Sequence, residues 1–180
     1  PSGDKIYFTA KRDGDEVSQL YSLPLNGGEA QRITSISTGV SATKISSDGR
    51  WLAFISRVFP SAFTDSLSKK MADDKKKIKA KARVYTSFPV RYWDSWLDEK
   101  QGHIFTMDLK SGSKPVNLMA SISLVNSPGF RLGSYNFSAD GKSVVFTATT
   151  EYNTTAYQSA KSNIYSVSLS GSKETVLVSD

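Results

Sequence analysis

Four groups of residues have the types to do chemistry. His103 is the chain's one histidine. As a general base it would need a nucleophile within hydrogen-bond reach and an acid to orient its ring. Nothing local supplies either, and Gly102-His103-Ile104-Phe105 reads as strand, so a structural residue is expected. Asp13-Gly14-Asp15-Glu16 clusters the hard oxygen donors that calcium takes, but without the spacing of a twelve-residue calcium loop. A solvated turn is expected there. Between Asp65 and Arg83, eight cations (Lys69, Lys70, Lys75, Lys76, Lys77, Lys79, Lys81, Arg83) face three aspartates (Asp65, Asp73, Asp74). That stretch is therefore +5 of the chain's formal +6. Nucleic-acid surfaces interleave aromatics with charge, whereas here the charge stops where the aromatics begin. A membrane-surface helix would carry bulkier apolar residues than alanine. The expectation is a solvated helix face, with no nucleic-acid partner and no membrane insertion.

The fourth group is Arg91-Tyr92-Trp93-Asp94-Ser95-Trp96-Leu97-Asp98, which holds two of the three Trp residues. If it forms a helical turn, Trp93 and Trp96 share a face, and Arg91, Asp94 and Asp98 can pair with one another. The competing reading has both Trp residues simply packing the segment against its surroundings, as large aromatics do. Arg91, Trp93, Asp94, Trp96 and Asp98 are the candidate functional residues. No residue is assigned to catalysis, a metal or a cofactor. The absence of cysteine excludes disulfides and thiolate metal sites.

A repeat must position these groups. Ile45-Ser-Ser-Asp-Gly-Arg-Trp-Leu-Ala-Phe54 returns as Phe137-Ser-Ala-Asp-Gly-Lys-Ser-Val-Val-Phe146, and in clipped form as Pro1-Ser-Gly-Asp-Lys-Ile-Tyr-Phe8. Each places a tight turn between two short strands. A second recurring unit follows: Leu20-Tyr-Ser-Leu-Pro-Leu25, Ile104-Phe-Thr-Met-Asp-Leu109 and Ile164-Tyr-Ser-Val-Ser-Leu169. Strand, turn, strand, loop, strand, Gly turn, strand is a four-stranded antiparallel meander. Repetition at 40–50 residues is the pattern of propeller blades.

The middle unit breaks off after Ser56 and resumes at Gly102, so it carries an insertion. The predicted fold is all-β, a partial β-propeller of about three blades with one helical insertion. Blade 1 covers about residues 1–36. Blade 2 covers about 40–120, with the insertion at 57–101, and blade 3 covers about 133–180. Within the insertion, Leu67, Met71, Ile78 and Ala82 predict a helix from Asp65 to about Ala82, with Thr64 or Asp65 as N-cap. No run approaches the roughly 18 apolar residues that span a bilayer. The chain opens on Pro1, one residue inside its own first repeat, so a piece of a longer chain is expected.

Arg83-Val-Tyr85, Pro89-Val-Arg-Tyr-Trp-Asp-Ser-Trp-Leu-Asp98 and His103-Ile-Phe105 together resemble a propeller segment of the S9-family (prolyl oligopeptidase family) serine peptidases. The likeness is to the acylaminoacyl-peptidase and dipeptidyl-peptidase 5-like branch. Its pattern runs Arg-Val-Tyr, a gap, Arg-His-Trp-Asp-x-Trp-x-Asp, then Ser-His-Leu-Phe; this chain has Tyr92 in the His place and Gly102 before His103. The Ser-x-Asp-Gly units resemble TolB-type (WD40-like) propeller repeats. The resemblance implies a non-catalytic N-terminal propeller that caps a C-terminal α/β-hydrolase domain and gates short peptides. Arg91, Trp93, Asp94, Trp96 and Asp98 would then serve substrate access or the interdomain contact. No Gly-x-Ser-x-Gly elbow occurs in the chain, in keeping with a triad that lies elsewhere. The alternative is a TolB-like propeller acting as an interaction scaffold with no enzyme attached. No cofactor is implied. By likeness to bacterial members the expected location is the periplasm, with the cytoplasm as alternative. Three blades cannot close a ring, so self-association through exposed strand edges is expected.

Overall fold

The computed structural model describes residues 3–80, 82–85, 88–171 and 174–179. Three antiparallel sheets follow one another along the chain. The first contains β1 (Lys5–Ala10), β2 (Gln19–Pro24) and β3 (Gln31–Arg32). The second begins with β4 (Ser41–Ile45) and β5 (Trp51–Val58). The chain then leaves through α1 (Asp65–Lys77) and a small hairpin, β6 (Arg91–Tyr92) and β7 (Ser95–Trp96). It returns to the same sheet as β8 (Gln101–Asp108) and β9 (Val116–Asn117). The third sheet is β10 (Arg131–Phe137), β11 (Ser143–Thr149), β12 (Asn163–Ser168) and β13 (Thr175–Val178). Each sheet is a meander in sequence order, and the architecture is a partial β-propeller of three blades.

The Ser-x-Asp-Gly signature has a hydrogen-bonding reason, and it is the same in two blades. Ser46 Oγ donates to Asp48 Oδ1 (2.6 Å) and accepts from Trp51 N–H (2.8 Å), while Arg50 N–H donates to Asp48 Oδ1 (3.0 Å). Ser138 Oγ likewise donates to Asp140 Oδ1 (2.6 Å) and accepts from Ser143 N–H (3.0 Å). Gly49 and Gly141 sit at φ +69° and +67°, where a Cβ is costly. These bonds favour the ionised carboxylates: the Ser46 and Ser138 hydroxyls hold Asp48 and Asp140 below the usual range. Ser46 is fully buried, so Ser46→Ala deprives Trp51 N–H and Asp48 of a shared partner. The expected loss is about 1–2 kcal/mol of unfolding free energy, read as a lower urea midpoint at unchanged m-value.

Two hydrophobic clusters hold the blades together, and the period of a strand explains them. Successive side chains on β5 point to opposite faces. Leu52, Phe54 and Val58 join Leu20, Phe105 and Met107 in the cluster facing blade 1. Ala53 and Ile55 turn the other way, with Ile104, into the cluster that includes Val144, Phe146 and Tyr165 of blade 3. The middle blade is thus buried on both faces, which is why Trp51-Leu-Ala-Phe-Ile55 reads as a nearly continuous apolar run. Leu118, Met119 and Val125 on two 3₁₀ turns after β9, with Ile122 between the turns, fill the wedge between blades 2 and 3.

α1 departs from expectation: it ends at Lys77, short of Ala82, and Ile78 is extended at ψ 119°. Thr64 Oγ1 caps it by accepting from Leu67 N–H, while Asp65 accepts from Ser37 N–H and Oγ. The apolar stripe finds little to bury against, since Leu67 is exposed and Ile78 is 61% exposed. Packing therefore does not sustain the helix, and local terms decide its end. Stopping at Lys77 leaves Lys75, Lys76 and Lys77 in the last turn, where the helix dipole favours cations. Continuing would place Lys75 and Lys79 one turn apart, in repulsion.

Candidate functional site

In a meander, the connections from second to third strand all emerge at one end of the blades. Those are residues 59–100 and 150–162, joined in the three-stranded first sheet by 11–18, since β1 and β2 match β5 and β8 in the repeat, and the fourth-strand exits lie there too. The Asp-Gly and Gly-Gly turns lie at the opposite end. Side-chain contacts agree with this division. Asp65 of α1 meets Ser37 in the linker after blade 1, and Arg131 at the start of β10 meets both Tyr152 and Tyr92. Every candidate residue therefore lies at the loop-rich end.

His103 lies beneath that end, fully buried in β8. Phe63 stacks on its ring (centroids 6.1 Å), and Phe130 approaches edge-on (6.5 Å). Asn117 Oδ1 accepts from Met119 N–H (3.0 Å), which turns its Nδ2 toward His103 Nδ1 (3.0 Å). Nδ1 is therefore an acceptor, and the proton sits on Nε2, facing Gln101 Oε1 (3.4 Å). Burial depresses the imidazole pKa to about 4. The expected structural role holds: a neutral ring joins the root of the insertion, the 3₁₀ wedge and the entry to blade 3.

Asp15 of the acidic turn is likewise committed. Its Oδ2 accepts from Tyr21 Oη (2.6 Å), and its Oδ1 pairs with Arg32 (3.0 Å). The Tyr21 hydroxyl is the main cause of its lowered pKa. Among the described residues no group of three or more His, Cys, Asp or Glu side chains could hold a metal. A cleft of about 320 Å³ separates the 11–18 loop from α1. Its cations are partly spent, Arg32 on Asp15 and Lys76 on Asp73.

The Arg91–Asp98 segment forms a β-hairpin and not a helical turn. Arg91 pairs with Trp96 and Tyr92 with Ser95, and Leu97 N–H donates to Val90 O at 3.1 Å. Trp93 and Asp94 form the two-residue turn, with Trp93 at φ +53°. Tight hairpin turns place Gly, Asn or Asp at positive φ; a Trp there strains the backbone. Neither Trp packs the insertion into a core: Trp93 is 84% exposed and Trp96 55%. Trp96 lies between Tyr85 (6.2 Å, tilted) and the Arg91 guanidinium (5.7 Å), and Tyr85 Oη donates to Leu97 O (2.8 Å).

The three charged candidates do not converge. Asp98 pairs with Arg57 of β5 (2.6 Å) and also accepts from Lys100 N–H, closing the base of the insertion. Asp94 accepts from its neighbour Ser95 Oγ (3.0 Å). A further ion pair, Lys75–Glu99, ties α1 to the same base. The sequence reading missed Arg131 and Tyr152. Arg131 stacks on Tyr152 (4.1 Å to the ring centre) and on Tyr92 (5.5 Å), tying the hairpin to blade 3. No spacing announces a contact between residues so far apart in the chain.

No family model and no curated protein matches the chain. Solved structures do. TolB-type protein of Agrobacterium tumefaciens aligns over 99% of this chain and 46% of its own, at 16% identity and a TM-score of 0.52. TolB from Acinetobacter baumannii aligns over 99% and 31%, at 15% identity and 0.51. Oligogalacturonate lyase from Vibrio parahaemolyticus aligns over 99% and 37%, at 12% identity and 0.55. The fold is thus that of a TolB-like propeller, and the chain spans less than half the length of each of these structures.

Proposed function

We propose that the chain is the substrate-gating propeller of an S9-type serine exopeptidase, with the insertion hairpin standing over the route by which a short peptide enters. The observation that carries this is Trp93: a large aromatic, 84% exposed, in a strained turn position at the loop-rich end of the blades. Folding alone favours glycine there, so the side chain serves something outside the fold. The Trp-Asp-x-Trp resemblance supplies the class of enzyme. On this reading the α/β-hydrolase domain of the same polypeptide is the partner, Arg91, Trp93, Asp94 and Trp96 form the entry, and Asp98 anchors its base through Arg57. A periplasmic setting goes with this assignment. Among the described residues no helix is long and apolar enough to cross a membrane.

The test is made in the enzyme that carries both domains. Trp93→Ala with Asp94→Ala is expected to change kcat/KM for short peptides about tenfold, and to shift the preference between substrates. Unchanged activity and preference would overturn the proposal, as would a parent gene that ends with the propeller and encodes no Gly-x-Ser-x-Gly elbow.

A further inference from the structure

Most arginines seen near carboxylates here are already engaged. Arg32 pairs with Asp15 (3.0 Å), Arg50 with Asp108 (2.9 Å) and Arg57 with Asp98 (2.6 Å). Arg131 differs. Its guanidinium lies 4.1 Å from the centre of the Tyr152 ring and 5.5 Å from that of Tyr92. Among the described residues it has no ion pair, although Glu151 is next to Tyr152 in sequence. Contacts with rings do not consume the guanidinium's N–H donors, and its planar fork matches a carboxylate in two parallel hydrogen bonds. The two rings come from different elements, the insertion hairpin and the β11–β12 loop, so the bracket is assembled only in the folded chain. It is also solvent-accessible, since Arg131 is exposed.

We infer that Arg131, bracketed by Tyr92 and Tyr152, is a carboxylate-binding residue at the loop-rich end of the blades, which receives the carboxylate of a small acidic ligand. Two ligand types carry that group, a short peptide with a free C-terminus and a uronic-acid sugar. A peptide ligand deepens the peptidase reading and rests on it; a uronate ligand does not.

Titration calorimetry on the 180-residue chain separates them, with trialanine, trialanine amide and digalacturonate as probes and circular dichroism as the fold control. One of the acidic probes is expected to bind, and trialanine to bind at least ~10-fold tighter than its amide if the ligand is a peptide. Arg131→Gln should abolish that binding or that preference. Arg131→Lys keeps the charge without the planar fork, and should retain only part of it; it also decides the matter if Arg131→Gln does not fold. Binding of digalacturonate alone, lost in the Arg131 variants, keeps the carboxylate site and removes the peptide. Equal affinity for acid and amide without digalacturonate binding, no binding of either acid, or binding that survives both substitutions overturns the inference.

Discussion

Phe105→Ala is expected to destabilise the chain by about 3–5 kcal/mol, the usual cost of deleting a fully buried aromatic side chain. Phe105 stacks on Phe54 with ring centroids 5.6 Å apart and planes 9° from parallel, in the cluster between blades 1 and 2. Both rings belong to the middle blade, so the cavity opens at the seam and not inside one sheet. Collapse of the neighbouring sheet could fill it only by shifting blade 1, which Leu20 and Ile36 anchor in the same cluster. Phe105→Leu, which keeps most of the volume, should cost no more than about 1.5 kcal/mol. Urea unfolding of the two variants checks both figures. A Phe105→Ala cost below that of Phe105→Leu would mean that the seam is not close-packed.

Stability should also fall by about 3 kcal/mol as pH drops from about 6.5 to about 4, through His103 alone. In the unfolded chain the imidazole titrates near 6.5, whereas burial holds the folded ring's pKa near 4. Between those values the unfolded state binds a proton that the folded state does not, so acid favours unfolding. The contribution is complete above 6.5 and gone below 4. The geometry gives the same sign: a second N–H, on Nδ1, would face the Asn117 amide donor, disturbing the side chain that caps the 3₁₀ turn at Met119. Its hydrogen-bond and ring neighbours, Asn117, Gln101, Phe63 and Phe130, do not titrate. Because the chain has one histidine, the assignment is open to a direct check. Unfolding free energies of wild type and His103→Gln are compared across this window, and the wild type should lose about 3 kcal/mol more than the variant, because carboxylates held low, such as Asp48 and Asp140, give both proteins a shared acid slope. Equal slopes would place the acid sensitivity elsewhere.

Much of the fold is legible in the sequence because its signals are local. The Asp48-Gly49 and Asp140-Gly141 turns carry their own hydrogen bonds within six residues, and alternation along Ser143–Thr149 needs only the period of a strand. The insertion is less legible for the same reason. Leu67, Met71, Ile78 and Ala82 keep helical spacing, but spacing does not say whether anything lies opposite to receive them. Trp93 and Trp96 fit a helical turn by their separation, yet the Arg91–Trp96 pairing and the positive φ of Trp93 make a hairpin. The sequence reading pairs Asp98 within its own segment, but its partner is Arg57, at the other end of the insertion. The Tyr92–Arg131–Tyr152 bracket joins three parts of the chain and has no local trace at all.

One consequence follows from the pairing of Val58 with Gln101 at the end of the β5–β8 ladder. The excursion between them departs and returns at adjacent points, and beyond Phe63, which packs on His103, it makes little use of the cores. Its ends are held together by the sheet whatever its length, and doubling a flexible loop costs only about 0.6 kcal/mol in closure entropy. The blade is therefore a socket that accepts cassettes. A lineage, or an engineer, can exchange residues 64–100 for a short turn or for another recognition element, and can change what the blades meet while the turns at the far end keep the same fold.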